Sequence, residues 1–135
     1  MYRLTARIDA LEDLVAGCAS VLVVVSGELG SALVAHVASR TLGPAALIVP
    51  VRTETIGSED VERLWSIANE RGIRTVFDGE NKDDERDRRS ASSKARARGV
   101  RSPLVETGFT RADVRAAAKF LGLPMALRGP GRPKS

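Results

Sequence analysis

Apolar residues recur along the chain with two different spacings, which predict alternating helices and strands. In residues 3–17 the apolar positions repeat at helical spacing, which predicts an amphipathic helix. Residues 21–25 read Val-Leu-Val-Val-Val, a continuous apolar run typical of a strand buried on both faces of a parallel sheet. Residues 46–51 form a second such run, and residues 32–42 between the two runs predict a helix. This first half of the chain therefore predicts one βαβ unit.

The second half continues the alternation with weaker patterns. Ser58 is placed to cap a third helix, and the short run 73–77 predicts a third strand. Residues 100–105 predict an edge strand. Thr110 is placed to cap a last helix over residues 111–121. Together these elements predict an α/β fold, a three-layer α/β/α sandwich with a mostly parallel sheet of four or five strands.

Length and composition set the organisation of the chain. Its 135 residues fit one domain, which we place at residues 1–127, followed by a basic Gly- and Pro-containing tail at 128–135 that we expect to be disordered. Cys18 is the only cysteine, which excludes an internal disulfide and suits a reducing compartment. No apolar run approaches the ~20 residues of a membrane helix. We therefore expect a cytoplasmic protein without a membrane partner.

Charge is distributed unevenly along the sequence. Residues 1–80 hold seven basic and eleven acidic residues, whereas residues 81–135 hold fourteen basic and six acidic ones. The basic half would suit the phosphate of a nucleotide, an RNA or a membrane surface, and the alternative is a solvated arginine-rich surface. Aromatic residues make up 4% of the chain, so the stacking groups of RNA-binding modules are scarce. Nucleic acid is for this reason not an expected partner.

The loop after the first predicted strand has the composition of a phosphate-binding turn. It consists of Ser26, Gly27, Glu28, Leu29, Gly30 and Ser31. Its glycines let the backbone approach a phosphate closely, and the following helix directs free amides and the positive end of its dipole to the same place. The first βα loop of an open parallel sheet is also a usual ligand site. The alternative is a tight turn in which Ser31 caps the helix.

A second group of polar residues follows the third predicted strand. Asp78, Gly79 and Asn81 lie where the carboxyl end of that strand would line a nucleotide pocket. Asp83 and Asp84 are candidate ligands for Mg²⁺ together with substrate phosphates, because carboxylates and water suit that ion. The alternative for the two aspartates is a turn that caps a helix.

These segments resemble a known family. Residues 26–31 resemble the SGGxDS signature of the PP-loop ATP pyrophosphatase superfamily, and residues 78–84 are similar to the DGTNxDD segment of the LarE family. Residues 99–104 read GVRSPL, 106–110 read ETGFT and 121–124 read LGLP, in the same order and at similar spacing as that family's GVRSPL, EAGLTK and LGLP segments. LarE enzymes are ATP-dependent sacrificial sulfur transferases that adenylate a carboxylate on a pyridinium precursor and then insert sulfur, on the way to a nickel-pincer cofactor.

The resemblance implies an adenine nucleotide alpha-hydrolase-like (HUP) fold, ATP or AMP as ligand and Mg²⁺ as a candidate metal. It also implies two further phosphate-side residues. Arg89 matches the arginine of the family's RPG segment, and Arg101 lies within GVRSPL. For the arginine-rich segment around Arg89 the alternative is again a solvated surface.

The departures from the family pattern leave two functions open. Glu28 stands in place of the second glycine of the signature and Gly30 in place of its aspartate, and the segment that carries the family's sacrificial cysteine has no match. The first hypothesis is a shortened LarE-like protein that binds ATP or AMP in adenylation-dependent sulfur transfer or cofactor biosynthesis. The alternative is a catalytically inactive binding module or subunit. Either would work with a homo-oligomeric copy or a partner protein of the same pathway.

Overall fold

A four-stranded parallel sheet lies between two layers of helices in the computed structural model, which describes residues 2–52, 58–87 and 98–124. The elements in chain order are α1 (Tyr2–Ala16), β1 (Val21–Val25), α2 (Leu29–Leu42), a 3₁₀ turn (Gly43–Ala45), β2 (Ala46–Pro50), α3 (Ser58–Glu70), β3 (Val76–Phe77), α4 (Lys82–Asp87), β4 (Val100–Arg101), α5 (Pro103–Glu106) and α6 (Arg111–Phe120). The predicted α/β sandwich is confirmed, with four strands.

The direction in which strands are added to the sheet reverses after β2. The strand order is β2-β1-β3-β4, and every pair of neighbours is parallel. After β2 the chain crosses back over β1 and adds β3 on the opposite side. The loops that follow β1 and β3 therefore leave the carboxyl ends of adjacent strands in different directions, which is the topological switch point where open α/β sheets bind ligands.

Side chains of β1 alternate between two separate cores. Val21 and Val23 pack with Phe77 against α1, α2 and α6 on one face of the sheet. Leu22 and Val24 pack against α3 on the other face. These four of the five residues of β1 are at most 1% exposed, as the uninterrupted apolar run predicted, and Val25 at its end is half-buried. The three-layer arrangement follows from this two-sided burial.

Two of the predicted strands need correction. The strand expected at 100–105 ends at Arg101, because Pro103 cannot donate to a ladder and instead occupies the first turn of α5. The strand expected at 73–77 contains only Val76 and Phe77.

The predicted burial of the strand at residues 46–51 is also wrong. β2 forms an edge of the sheet, its residues are half-buried or exposed, and Ile48 is 36% exposed. An edge strand that packs against a helix also consists of apolar residues. Its apolar sequence therefore does not distinguish it from a central strand.

The last helix matches its prediction closely. Thr110 and Asp113 form a reciprocal capping box, with Thr110 Oγ1 accepting from the Asp113 amide at 3.1 Å and Asp113 Oδ2 accepting from the Thr110 amide at 3.0 Å. The predicted tail at 128–135 lies outside the described residues. Among the helices that the structure describes, none is long and apolar enough to cross a membrane.

Candidate functional site

The loop between β1 and α2 is closed by the side chain of Ser31. The backbone turns at Gly27, whose φ of 89° lies in the left-handed region that favours glycine. Ser31 Oγ accepts a hydrogen bond from the amide of Ser26 at 3.1 Å and donates one to the carbonyl oxygen of Glu28 at 2.9 Å. Ser31 is 1% exposed, so water does not compete for these bonds. Its hydroxyl therefore shapes the loop. The alternative in which Ser31 caps a helix over residues 32–42 is wrong, because α2 begins at Leu29 and its N-cap residue is Glu28.

Backbone amides remain as the hydrogen-bond donors of this loop. Within the described part of the chain, the amides of Gly27, Leu29 and Gly30 have no hydrogen-bond acceptor. Glu28 is the N-cap residue of α2 and makes no side-chain cap to the helix. The first turn of a helix carries unsatisfied N–H groups and the positive end of the dipole. The loop is therefore able to receive an anionic group.

The loop after β3 is anchored by Asp78. This residue is 6% exposed, its Oδ1 accepts from the amide of Glu80 at 3.1 Å, and its own amide donates to the carbonyl oxygen of Arg101 at 2.9 Å. The carboxyl ends of β3 and β4 are thus tied together.

Gly79 brings the two loops into backbone contact. A Cβ built on Gly79 would overlap the amide nitrogen and Cα of Ser31, and a Cβ built on Gly30 would overlap the carbonyl oxygen of Gly79. The structure therefore assembles the predicted residues of loop 26–31 with Asp78 and Gly79 at the switch point. The loop compositions point to both glycines as site residues, but their contact depends on the strand order.

Asp84 caps the start of α4, and Asp83 binds the first amide of α6. Asn81 Oδ1 accepts from the amide of Asp84 at 2.8 Å, and Asp84 Oδ2 accepts from the amide of Asn81 at 3.3 Å, which forms a capping box at the start of α4. Arg111 donates from its amide to Asp83 at 2.9 Å and from Nη2 to Asp84 at 3.0 Å. These contacts match the predicted capping alternative.

The described residues contain no group of three or more His, Cys, Asp or Glu side chains that would hold a metal ion. The proposed Mg²⁺ ligation by Asp83 and Asp84 stays a prediction.

Arg101 binds Glu106 and lies against the ring of Phe77. Its Nε and Nη2 donate to both carboxylate oxygens of Glu106 at 3.0 and 2.7 Å, and its guanidinium carbon lies 5.5 Å from the centroid of the Phe77 ring. The hydrogen bond with Glu106 raises the pKa of Arg101, with a smaller opposing effect of burial. None of its described contacts is with the loop after β1. Arg89 lies outside the described residues.

Ser102 is a buried polar residue that no sequence motif marks as a site residue. It is 2% exposed, follows β4 directly, and its Oγ has no hydrogen-bond partner among the described residues. It lines a cleft of about 340 Å³ at the outer edge of β4, together with Glu85, Val105 and Glu106. The only indication in the sequence is its position before Pro103, where a helix N-cap is expected.

Comparison with known proteins adds one relative. No family model matches the chain. A protein of Synechocystis sp. (strain ATCC 27184 / PCC 6803 / Kazusa), named "Uncharacterized protein slr1717", is 42% identical over 67 residues. The aligned residues make up 50% of this chain and 25% of the relative, so the chain matches about a quarter of that protein's length.

Proposed function

We propose that this chain is an adenine-nucleotide-binding domain of the PP-loop type, which takes ATP or AMP at the carboxyl ends of β1 and β3, against loops 26–31 and 78–81. The observation that carries the proposal is the position of the amides of Gly27, Leu29 and Gly30, which lack acceptors in the described part of the chain and lie at the switch point. A phosphoryl group is the ligand that such amides suit best. The choice of adenine as the base of the nucleotide comes from the resemblance to the LarE family.

The proposed process is adenylation-dependent sulfur transfer or cofactor biosynthesis in the cytoplasm. In that role the chain contributes the nucleotide, and its loop amides orient the phosphate for reaction. Mg²⁺ would accompany ATP mainly through phosphate oxygens and water, because Asp84 already caps α4 and both Asp83 and Asp84 bind Arg111.

A second candidate is a binding subunit without catalysis of its own, and the position of Cys18 favours it. The only cysteine of the chain lies before β1, at the amino end of the sheet, whereas the two loops lie at its carboxyl end. Its half-buried thiol is directed to the carbonyl oxygen of Leu14 at 3.7 Å and packs against the core. Sulfur would then come from a second copy or from a partner protein of the same pathway.

The two candidates differ in whether pyrophosphate is formed. Calorimetric titration with AMP and with ATP, in the presence and absence of Mg²⁺, measures binding, and a coupled assay measures pyrophosphate release. Binding with release of pyrophosphate supports the enzyme, and binding without release supports the subunit. Absence of binding by both nucleotides overturns the proposal.

A substitution at Leu29 tests the loop amides directly. Leu29 is the first residue of α2, where proline is tolerated, and Glu28 before it has φ −95° and ψ 154°, which a residue preceding proline adopts readily. Leu29→Pro removes one N–H, whereas Leu29→Ala removes the side chain and keeps the N–H. Because a hydrogen bond to a charged group contributes about 1.5–3 kcal/mol, we expect Leu29→Pro to bind nucleotide about tenfold or more weakly than Leu29→Ala. Equal affinities would exclude this amide from the site.

A further inference from the structure

The charges of α1 lie in the opposite order to the one that a helix favours. Its first half contains Arg3 and Arg7 and no acidic residue, whereas its second half contains Asp9, Glu12 and Asp13 and no basic residue. The dipole of a helix is stabilised by acidic side chains near the N-terminus and by basic ones near the C-terminus. The order found in α1 therefore weakens the isolated helix, and it makes one end basic and the other acidic.

One side of α1 faces solvent along most of its length. Arg3, Ala6, Ala10 and Asp13 follow one another at spacings of three or four residues, which places them on one side of the helix, and all four are exposed. Asp9 is exposed beside them. Within the described part of the chain, Arg3, Asp9 and Asp13 form no ion pair. Opposite charges thus lie without partners at the two ends of one helix face.

A groove borders the basic end of this face. It measures about 700 Å³ and is lined by Arg3 and Leu4 of α1 and by Asp113, Ala116, Lys119 and Phe120 of α6. Phe120 is 51% exposed. The carboxylate of Asp113 is already paired with Arg7 at 3.4 Å, so Arg3 and Lys119 give the groove a basic character. An exposed aromatic ring beside basic side chains is typical of an interaction surface.

We propose that the exposed face of α1 and the adjoining groove bind a second copy of this chain, with the two α1 helices antiparallel. A twofold axis between Ala6 and Ala10 brings Arg3 of each copy to Asp13 of the other, because the two residues lie equally far from that axis along the helix. The acidic end of each α1 then lies against the basic groove of the other copy and covers Phe120.

The charge pattern identifies the second copy as the occupant. A twofold contact uses the same surface on both subunits, so that surface must carry both members of every complementary pair. The face of α1 meets this condition, since its basic end and its acidic end are complementary to each other. An antiparallel pair also gives each end of α1 the opposite charge that its own helix lacks. The inference is independent of the proposed function, because none of these residues belongs to loops 26–31 and 78–81.

Sedimentation of the full chain over a range of concentrations tests this surface. We expect wild type to form a dimer whose dissociation constant increases with salt concentration, because salt screens exposed charges. The double variant Arg3→Glu/Lys119→Glu should increase the dissociation constant about tenfold or more. Arg71→Glu/Arg74→Glu is the matched control, because it changes the net charge equally at two exposed arginines outside this face and should keep the wild-type value.

Two complementary variants test the antiparallel arrangement. Arg3→Glu/Lys119→Glu makes both ends of the face acidic, and Asp9→Lys/Asp13→Lys makes both ends basic, so each variant alone should be monomeric. Mixed in equal amounts, they should form a heterodimer, because every acidic end then meets a basic one. Three of these four changes, those in α1, bring its charges into line with the helix dipole, so unfolding of α1 is not the expected cause of dissociation. Thermal melting of both variants checks this point.

The apolar part of the contact has its own pair of variants. Phe120→Ala should weaken the dimer, whereas Ile48→Ala, which shortens an exposed apolar side chain on β2, should not. A wild type that remains monomeric up to the highest soluble concentration overturns the inference, and this measurement needs no variant to fold. A wild-type dimer that both charge variants leave intact also overturns it. Two monomeric variants that melt cooperatively but do not pair on mixing overturn the antiparallel arrangement.

Discussion

Ser31 Oγ lies 3.1 Å from the amide nitrogen of Ser26, and this bond spans the whole loop between the central strand and α2. The same hydroxyl donates to Glu28, so one buried side chain fixes both the start and the middle of the turn. A serine at this place in a phosphate loop suggests a ligand contact from composition alone. In this chain it instead holds the backbone in the shape that directs its amides outward.

Replacement of Ser31 should therefore lower stability before it affects any ligand contact. Ser31→Ala leaves the Ser26 amide and the Glu28 carbonyl without a partner, and we expect the free energy of unfolding to fall by about 1–3 kcal/mol. Ser39→Ala is the matched control, because Ser39 is exposed on the same helix and such changes usually stay within about 0.5 kcal/mol. Urea denaturation measures both. Equal losses would show that the hydroxyl does not support the loop.

Restoring the family residue at position 30 should be harmful in this background. A side chain at Gly30 would overlap the Gly79 carbonyl, and an aspartate adds a charge to loops that already carry three acidic residues. We expect Gly30→Asp to lose about 1–3 kcal/mol, by analogy with overpacked cores, and to bind AMP more weakly than wild type.

Gly30→Ala separates the effect of size from the effect of charge at this position. Denaturation and calorimetry on both variants provide the readouts. A fully stable Gly30→Asp protein with increased ATP turnover would instead show that the loops open easily.

The sequence predicts the layers of this fold better than the details of its site. The uninterrupted run of β1 correctly indicates burial on both faces, and Thr110 correctly marks the start of the last helix. β2 is apolar like β1 but forms an edge of the sheet. Helices that cover both faces of a sheet favour apolar residues in edge and central strands alike.

The contact of Gly30 with Gly79 has a different cause. It exists only because the chain crosses back so that β3 pairs with β1, and no local pattern encodes that order. The two hydrogen bonds of the Ser31 hydroxyl likewise depend on the folded geometry. The sequence does not predict them, because a serine at this position could equally bind a ligand. The sequence therefore identifies the residues that meet at the site. It does not show which of them stabilise the backbone and which would bind a ligand.

Replacement of Asp84 should lower the free energy of unfolding by the same amount with and without Mg²⁺. Asp84→Ala removes one half of the capping box with Asn81 and the contact with Arg111, so we expect a loss of about 1–2 kcal/mol in the free energy of unfolding. Asp83→Ala, which loses one bond from the Arg111 amide, should cost less.

Thermal melts with and without Mg²⁺ test the alternative role of this acidic pair. If Mg²⁺ stabilises wild type and the effect disappears in both variants, then Asp83 and Asp84 bind the ion and the capping interpretation is incomplete.

His36 should make the protein less stable in mild acid. Its Nε2 is buried without a hydrogen-bond partner among the described residues, and burial, with a smaller effect of the nearby Arg40, lowers the pKa of His36 from its ordinary value of 6.5. The folded state therefore binds fewer protons here than the unfolded state. Stability from the neutral imidazole is complete above pH 6.5 and decreases as the pH falls through that value towards the lower pKa of the folded state.

The contribution of His36 is isolated by comparison with a variant that does not titrate. Between about pH 7.5 and pH 5.5, wild type should lose more unfolding free energy than His36→Gln, because carboxylates titrate alike in both proteins. Urea denaturation at the two pH values gives the difference. Arg40→Gln should retain part of the dependence, since burial is the larger cause of the lowered pKa. Identical pH slopes for wild type and His36→Gln would show that the imidazole is protonated equally easily in the folded and unfolded chain.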